Sequence, residues 1–206
     1  MDQFENELVA TLRQITAPDT TAIQQASQAL QSTFYKNPLI IPSLINILQR
    51  NPETQVRQLA GVEARKLVSR DWLNSEMISD ESKSQIKSTL LASTLAEQDA
   101  LVRHTSSRVI SAIARYDIEE DLWPDLLPAL QQAALSTQAI EREVAIYIIY
   151  TLLEAEVSVL EDATVPLLQL FSKTIVDNES LPVRISTLLA LGCIATGLHP
   201  GASPEG

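Results

Sequence analysis

The sequence predicts an all-α protein, an α-solenoid of about five helix pairs, and three observations predict it. The chain has 206 residues, 45% of them hydrophobic, but only five glycines, three of which lie in the last ten residues. Sandwiches and doubly wound α/β folds need glycine in tight turns and phosphate-binding loops. Apolar residues recur every three or four positions, the period of one helix face. Finally, similar helix pairs recur along the chain, as described below.

Ten helices are predicted. Phe4, Leu8, Leu12 and Ile15 form one face of the first helix, and either Asp19 or Thr20 can cap the second. The breaks at Asn37-Pro38 and Asn51-Pro52 delimit the third, because the residue before proline avoids the α region. The later helices are expected at 53–70, 81–96, 99–116, 122–135, 137–155, 162–176 and 181–197. The pairs span approximately 2–36, 38–70, 80–116, 122–155 and 162–197 of one solenoid over 1–197, and 198–206 is expected to be a frayed tail.

One segment has an alternative interpretation. Residues 145–153 are rich in β-branched and aromatic side chains and could form a buried strand. The stretch from Gln138 to Ala155 is too long for an ordinary strand. A helix buried on nearly all sides fits it better.

The helix pairs resemble one another. The first helix of a pair carries a proline followed by leucines at Pro42, Pro128 and Pro166, and the second opens with an arginine at Arg57, Arg103, Arg142 and Arg184. These arginines are 46, 39 and 42 residues apart. A period of about 40 residues made of two helices is typical of HEAT or armadillo repeats, whose pairs stack into a superhelix, here expected to be right-handed.

The arginines are interpreted as structural residues. Arg57 follows Glu53 by four positions and Arg103 follows Asp99 by four, the spacing of an ion pair on one helix face. The side chain can also reach the acidic turn of the neighbouring repeat. The same structural role is expected for Arg142 and Arg184. Pro42 and Pro128 are expected inside their helices, where proline kinks the backbone.

The charge is unevenly distributed. The net charge is −11, with twelve basic and twelve acidic residues up to Tyr116 but three basic and fourteen acidic residues from Asp117 onward. Direct nucleic-acid binding needs clustered Lys and Arg and is not expected. The acidic second half fits either a positively charged partner or a solvated surface. No segment resembles a membrane span.

No catalytic or metal-binding motif is present. One cysteine and two histidines 95 residues apart cannot form a zinc site, and no phosphate-binding or nucleophile motif occurs. The chain is therefore expected to be neither an enzyme nor a cofactor-binding protein. A function through surface contacts remains. Helical wheels place polar side chains opposite the apolar faces of the fourth and sixth helices, namely Gln58, Arg65, Ser69, His104, Ser107, Ser111 and Arg115.

Several strings resemble a known family. The segment Gln58-Leu-Ala-Gly-Val-Glu-Ala-Arg-Lys-Leu-Val68 is similar to the importin-N region that opens the β-karyopherins. The run Trp123-Pro-Asp-Leu-Leu127, the Ala26-Ser-Gln-Ala-Leu30 run and the Val102-Arg-His104 start are similar to the fungal importin-four kind. The resemblance extends to about Thr196.

This resemblance implies a nuclear transport receptor that shuttles between cytoplasm and nucleus through the nuclear pore. Inner helices of the first repeats would bind Ran-GTP, which makes the seven stripe residues candidates for facing Ran. Outer helices would bind FG-repeat nucleoporins, and acidic inner surfaces would take basic cargo such as histones and ribosomal proteins. Because such carriers have many more repeats, the chain is expected to be an N-terminal fragment. The alternative is a HEAT-repeat scaffold or assembly chaperone unrelated to Ran.

Overall fold

The computed structural model describes residues 3–155 and 163–197, which contain ten α-helices and no strand. The prediction of an all-α protein is confirmed. The helices are α1 (Gln3–Ile15), α2 (Thr20–Ser32), α3 (Ile40–Arg50), α4 (Thr54–Asp71), α5 (Asp80–Leu95), α6 (Ala100–Asp117), α7 (Leu126–Ala133), α8 (Ala139–Glu154), α9 (Thr164–Thr174) and α10 (Leu181–Gly197), with a short 3-10 turn at Phe34–Lys36.

The chain forms two compact units, residues 1–113 and 114–206. In the first unit, α1 packs on α2, α3 and α4, and α3 packs on α4 and α5. In the second unit, α8 packs on α7 and α10, and α9 packs on α10. Each helix buries one apolar face in this way, which a single helix pair could not do by itself. The expected tail at 198–206 lies outside the described residues.

Local sequence explains where α2 and α7 begin and why α8 is a helix. The Asp19 carboxylate caps α2 by accepting hydrogen bonds from the backbone N–H groups of Thr21 and Ala22 at 2.9 and 3.2 Å, so Asp19 rather than Thr20 is the cap. The seventh helix begins at Leu126 instead of 122, because Trp123 precedes a proline and is pushed out of the helical region. The segment 145–153 lies within α8, so its helical interpretation is confirmed.

The three repeat prolines lie in the first turn of their helices. Pro42, Pro128 and Pro166 each occupy the third position of their helix, in α3, α7 and α9. The first four N–H groups of an α-helix have no partner within the helix, so proline loses no hydrogen bond there. The prediction that Pro42 and Pro128 lie in helix interiors is wrong, because these helices begin nearer the prolines than the periodicity indicates.

The turn inside each of four pairs is built in the same way. A side-chain oxygen accepts a hydrogen bond from the backbone N–H two residues later, at 2.9–3.1 Å, and this residue is Asn51, Glu97, Ser136 and Asp177 in successive pairs. Each precedes its repeat arginine by six or seven positions. The repeat is therefore visible in the hydrogen bonds as well as in the sequence.

The repeat arginines bind these turns. Arg103 donates through Nη1 to the carbonyls of Glu97 and Gln98 at 3.1 and 3.2 Å. Arg142 donates to the carbonyls of Ser136 and Thr137 at 2.9 and 3.1 Å, the same two positions of its own turn. Arg184 donates to the carbonyl of Asp177 at 2.7 Å. These hydrogen bonds satisfy backbone carbonyl groups in the turns that precede α6, α8 and α10.

Two arginines also reach the turn of the next pair. Arg57 forms an ion pair with Glu97 and donates through Nε to the Leu48 carbonyl at 2.7 Å. Arg142 donates to Asp177 at 2.6 Å and to Glu179 at 2.9 Å. The side chains of Arg142 and Asp177 are 11% and 6% exposed, so little water screens their attraction. Each of these contacts joins consecutive pairs within one unit.

The prediction of an ion pair between Glu53 and Arg57 is wrong. Glu53 instead accepts a hydrogen bond from Arg13 Nε at 2.7 Å, and Arg57 turns toward Glu97. Asp99 caps α6 through the N–H groups of Leu101 and Val102 at 2.9 and 3.1 Å. The hydrogen bond from the Val102 N–H group is the main cause that lowers the pKa of the Asp99 carboxyl, and the bond from Leu101 lowers it further. Neighbouring repeats therefore supply partners that the helical wheel does not contain.

Candidate protein-binding surface

The predicted polar stripe on α4 lies at the surface. Arg65 and Ser69 are exposed and Gln58 is half-buried, with the half-buried Val62 between them. The opposite face of α4 is buried through Val56, Ala60, Ala64 and Leu67. A surface of mixed polar and apolar side chains with one strongly exposed cation suits contact with a protein.

The predicted stripe on α6 is partly wrong. Ser107 and Ser111 are 0% and 6% exposed, so neither faces solvent. Their hydroxyls donate to the carbonyls of Arg103 and Ser107, four residues earlier, at 2.9 and 3.0 Å. A serine that bonds its own helix in this way can be buried without an unsatisfied group. The helical-wheel prediction counted serine as a surface residue, so it centred the exposed arc of α6 on Ser107 and Ser111, which are buried.

The exposed arc of α6 contains other residues. Leu101, Arg108 and Arg115 are exposed, and His104 is half-buried. Of the four predicted residues on this helix, only His104 and Arg115 therefore reach the surface. Arg108 was missed because the wheel centred the arc on Ser107 and Ser111. Its spacing of seven from Leu101 and from Arg115 could have indicated the correct arc.

A charged network lies beside the α4 stripe. Glu63 is 6% exposed; its carboxylate accepts hydrogen bonds from the Tyr35 hydroxyl and, at 2.7 Å, from Lys66 Nζ. Burial and the adjacent Glu63 raise the pKa of Tyr35 above its usual value, so the phenol stays protonated and donates. Arg70 donates through Nη2 to Asp71 at 2.6 Å and lies 5.5 Å from the centre of the Tyr35 ring.

This network is not predicted by the sequence. Tyr35 lies 28 residues before Glu63 and follows α2, so only the packing of the 3-10 turn brings the two together. The presence of two acids and three cations between Glu63 and Asp71 was the available signal. That pattern by itself is typical of an ordinary solvated face.

The described residues offer no sign of a metal centre or a membrane span. In residues 3–155 and 163–197, no group of three or more His, Cys, Asp or Glu side chains could hold a metal ion. Over the same residues no helix combines the length and apolarity that crossing a bilayer requires.

Two family descriptions match the chain. The importin-beta N-terminal domain matches residues 26–96, and the family described as IPO5-like, TPR repeats matches residues 98–198. The probable importin subunit beta-4 of Schizosaccharomyces pombe is 40% identical over 152 residues, 74% of this chain. The chain belongs to the importin-β family.

A mouse importin is also similar to this chain. Importin-4 of Mus musculus is 25% identical over 189 residues, 92% of this chain. The chain spans only 14% of the Schizosaccharomyces pombe importin and 17% of the mouse importin. The importin-β N-terminal domain match contains α4 and the whole Tyr35–Asp71 network.

Solved structures of the karyopherin Kap121p have the same fold, which confirms the predicted α-solenoid class. Kap121p bound to RanGTP matches with a TM-score of 0.77 over 96% of this chain and 18% of its own, at 24% identity. Other solved forms of Kap121p are bound to Nup53p and to Pho4p. At this identity the likeness concerns the fold of the helix pairs.

Proposed function

We propose that this chain binds the GTP form of Ran through the exposed side of α4 and the exposed arc of α6. The observation that carries the proposal is the position of the importin-β N-terminal domain match, residues 26–96, which contains the α4 stripe of Gln58, Arg65 and Ser69. Kap121p, whose fold is similar, has been solved with RanGTP bound. On α6, His104 and Arg115 are the candidates that reach the surface.

The wider role is nuclear import. Members of the family are transport receptors rather than enzymes, and a receptor that shuttles between cytoplasm and nucleus must contact the pore. The partners proposed for the full-length importins are FG-repeat nucleoporins and basic cargo, such as histones and ribosomal proteins. The fourteen acidic residues from Asp117 onward, against three basic ones, suit positively charged cargo.

The deciding experiment compares two nucleotide states of one partner. Ran loaded with a non-hydrolysable GTP analogue and Ran loaded with GDP are each titrated into the chain by isothermal calorimetry. We expect binding of the GTP form and at least tenfold weaker binding of the GDP form. Equal affinities, or no binding by either, would contradict the proposal. Such a result would favour the alternative, a HEAT-repeat scaffold or assembly chaperone unrelated to Ran.

A further inference from the structure

The second unit exposes an apolar face on its last two helices. Four large apolar side chains of α10 are 47–59% exposed, namely Leu181, Ile185, Leu188 and Leu189. Their spacing places them on one side of the helix. The adjacent helix α9 adds Val165 and Leu168, which are 65% and 40% exposed. Clustered apolar side chains of this kind are uncommon on the surface of a soluble monomer and mark a contact site. These six residues are called the α9–α10 face below.

The helices that form this face carry no negative charge. The chain has fourteen acidic residues from Asp117 onward, yet α9 and α10 contain none. Their two basic residues are Lys173 and Arg184, and Arg184 donates to the carbonyl of Asp177. Two copies of a chain with a net charge of −11 repel each other. At the α9–α10 face they can meet without placing one carboxylate against another.

The exposed positions of α10 have the same order in both directions. Each lies as far from the midpoint between Leu188 and Leu189 as another exposed position on the opposite side. Two α10 helices packed antiparallel about that midpoint therefore bring exposed positions against exposed positions. Up to Thr196 these positions are Leu181, Pro182, Ile185, Leu188, Leu189, Gly192, Ala195 and Thr196.

Large side chains meet small ones in this antiparallel arrangement. Ile185 of one copy lies opposite Gly192 of the other, and Leu181 lies opposite Thr196. Among the described residues, nothing comes within 4 Å of the position that a Cβ atom of Gly192 would occupy. This leaves room for the isoleucine of the second copy. Because packed helices lie only about 8–10 Å apart, such a match of large and small side chains decides whether two helices fit.

We propose that the α9–α10 face binds a second copy of this chain, with the two α10 helices antiparallel about a two-fold axis between Leu188 and Leu189. A two-fold contact pairs a surface with itself, so it needs a pattern that matches its own reversal, and α10 has one. The contact is small beside a standard interface of about 20–30 residues per side, and we expect a dissociation constant of about 10 µM. This surface is separate from the one proposed for Ran-GTP and does not depend on it.

The association state tests the proposal directly. Sedimentation equilibrium of the unaltered chain between about 2 and 200 µM should show the mass rise from 22.6 kDa towards twice that value. We expect Leu188→Glu to weaken association at least tenfold, because it places a carboxylate of each copy beside the axis. Leu135→Glu is the matched control and should stay within about twofold, since Leu135 is 53% exposed in the same unit but lies outside α9 and α10.

Salt dependence separates an apolar contact from an ionic one. Raising the salt from about 0.05 M to about 0.5 M screens the repulsion between two acidic copies, so the dimer should become tighter. A dimer that weakens over this range is held by ion pairs, and this result would overturn the proposal.

Cysteine cross-linking tests the antiparallel register, in a Cys193→Ser background. In Leu188→Cys the two introduced thiols of a dimer lie beside the axis, one residue apart along it, and should form a disulfide under a mild oxidant. In Leu181→Cys they lie fifteen residues apart along the helices, about 22 Å, and should not. Cross-linking of Leu181→Cys, or none in Leu188→Cys, would overturn the antiparallel pairing.

The remaining outcomes also decide the proposal. Far-UV circular dichroism checks the folding of each variant, and the milder Leu188→Ala should weaken association about threefold. An unaltered chain that stays monomeric at about 200 µM overturns the proposal and leaves the face to another occupant, such as a further helix pair of a longer chain. A dimer that Leu188→Glu leaves intact is formed elsewhere on the chain, which overturns the proposal as well.

Discussion

The guanidinium of Arg57 on α4 is paired with the carboxylate of Glu97, forty residues later, in the turn that precedes α6. The two side chains are only 16% and 12% exposed. The same arginine donates to the Leu48 carbonyl at the end of α3. Arg57 therefore joins α4 to the end of α3 and to the turn before α6. The pair is shielded from solvent better than the Arg13–Glu53 pair, whose side chains are 51% and 46% exposed.

Removing the Glu97 carboxylate should destabilise the first unit. We expect Glu97→Ala to lower the free energy of unfolding by about 2 kcal/mol, because a poorly solvated guanidinium loses its counter-charge. Glu53→Ala is the matched control, since it breaks the exposed pair with Arg13, and we expect a loss below about 0.5 kcal/mol. Urea unfolding followed by circular dichroism measures both. Equal losses would show that burial does not set the strength of these pairs.

Gly61 lies where α4 and α6 approach each other closely. A Cβ atom at this position would clash with Thr105 Cγ2 and lie 3.1 Å from Leu48 Cδ1. We expect Gly61→Ala to destabilise the chain by about 1–3 kcal/mol through overpacking. Adding Thr105→Ser removes the clashing methyl group and should recover part of the loss. No recovery in the double variant would contradict this cause.

Gly192 provides the control for helix propensity. It lies within α10, and nothing approaches the Cβ position within 4 Å. Gly192→Ala should therefore stabilise the chain by about 0.5–1 kcal/mol, the ordinary gain from replacing glycine in a helix. Thermal melting of the two alanine variants should show opposite shifts. Destabilisation by Gly192→Ala would contradict the open surroundings of this residue.

Asp177 should make the second unit sensitive to acid. The hydrogen bond from Arg142 is the main cause that lowers the pKa of Asp177 to about 2, below the usual value. The lower pKa in the folded state means that ionised Asp177 stabilises the fold above about pH 4. This stabilisation is lost as the pH falls toward 2. The urea midpoint of the unaltered chain should therefore decrease over this range.

Two substitutions isolate this effect. Asp177→Asn should lower the urea midpoint at pH 7 and flatten its decrease between pH 4 and pH 2, because the ionising carboxylate is gone. Glu120→Gln removes an exposed carboxylate of the same unit and should leave the profile nearly unchanged. Parallel profiles for Asp177→Asn and the unaltered chain would show that the Arg142–Asp177 pair does not control acid stability.

The exposure pattern of α6 predicts which substitutions affect the proposed binding of Ran-GTP. Arg108 is exposed, so Arg108→Glu should weaken binding of Ran-GTP at least threefold if the α6 arc contacts the partner. Ser107 is fully buried, and Ser107→Ala should leave the affinity within about twofold. Calorimetric titration at constant salt measures both. A larger effect of Ser107→Ala than of Arg108→Glu, with unchanged melting, would contradict the structural assignment.

The sequence alone predicted the all-α class, the ten helices of the described residues and the period of the repeat arginines, because each depends only on the order of residues along the chain. Helix periodicity and the Asn-Pro breaks are properties of neighbouring residues, and the shortage of glycine is a property of the composition. They do not depend on which helix packs on which. Even the wrong prediction that Pro42 and Pro128 lie in helix interiors came from an error of only a few residues in where each helix begins.

Tertiary structure decided the partners of the charged residues and the exposed arcs. Glu53 lies at the right spacing for Arg57, but each finds a partner in another repeat, and Tyr35 reaches Glu63 only because the 3-10 turn packs on α4. Ser107 and Ser111 look like surface residues on a wheel, yet they are buried. A helical wheel describes one isolated helix. In a stack, the neighbouring helices determine which side chains meet water and which charges meet each other.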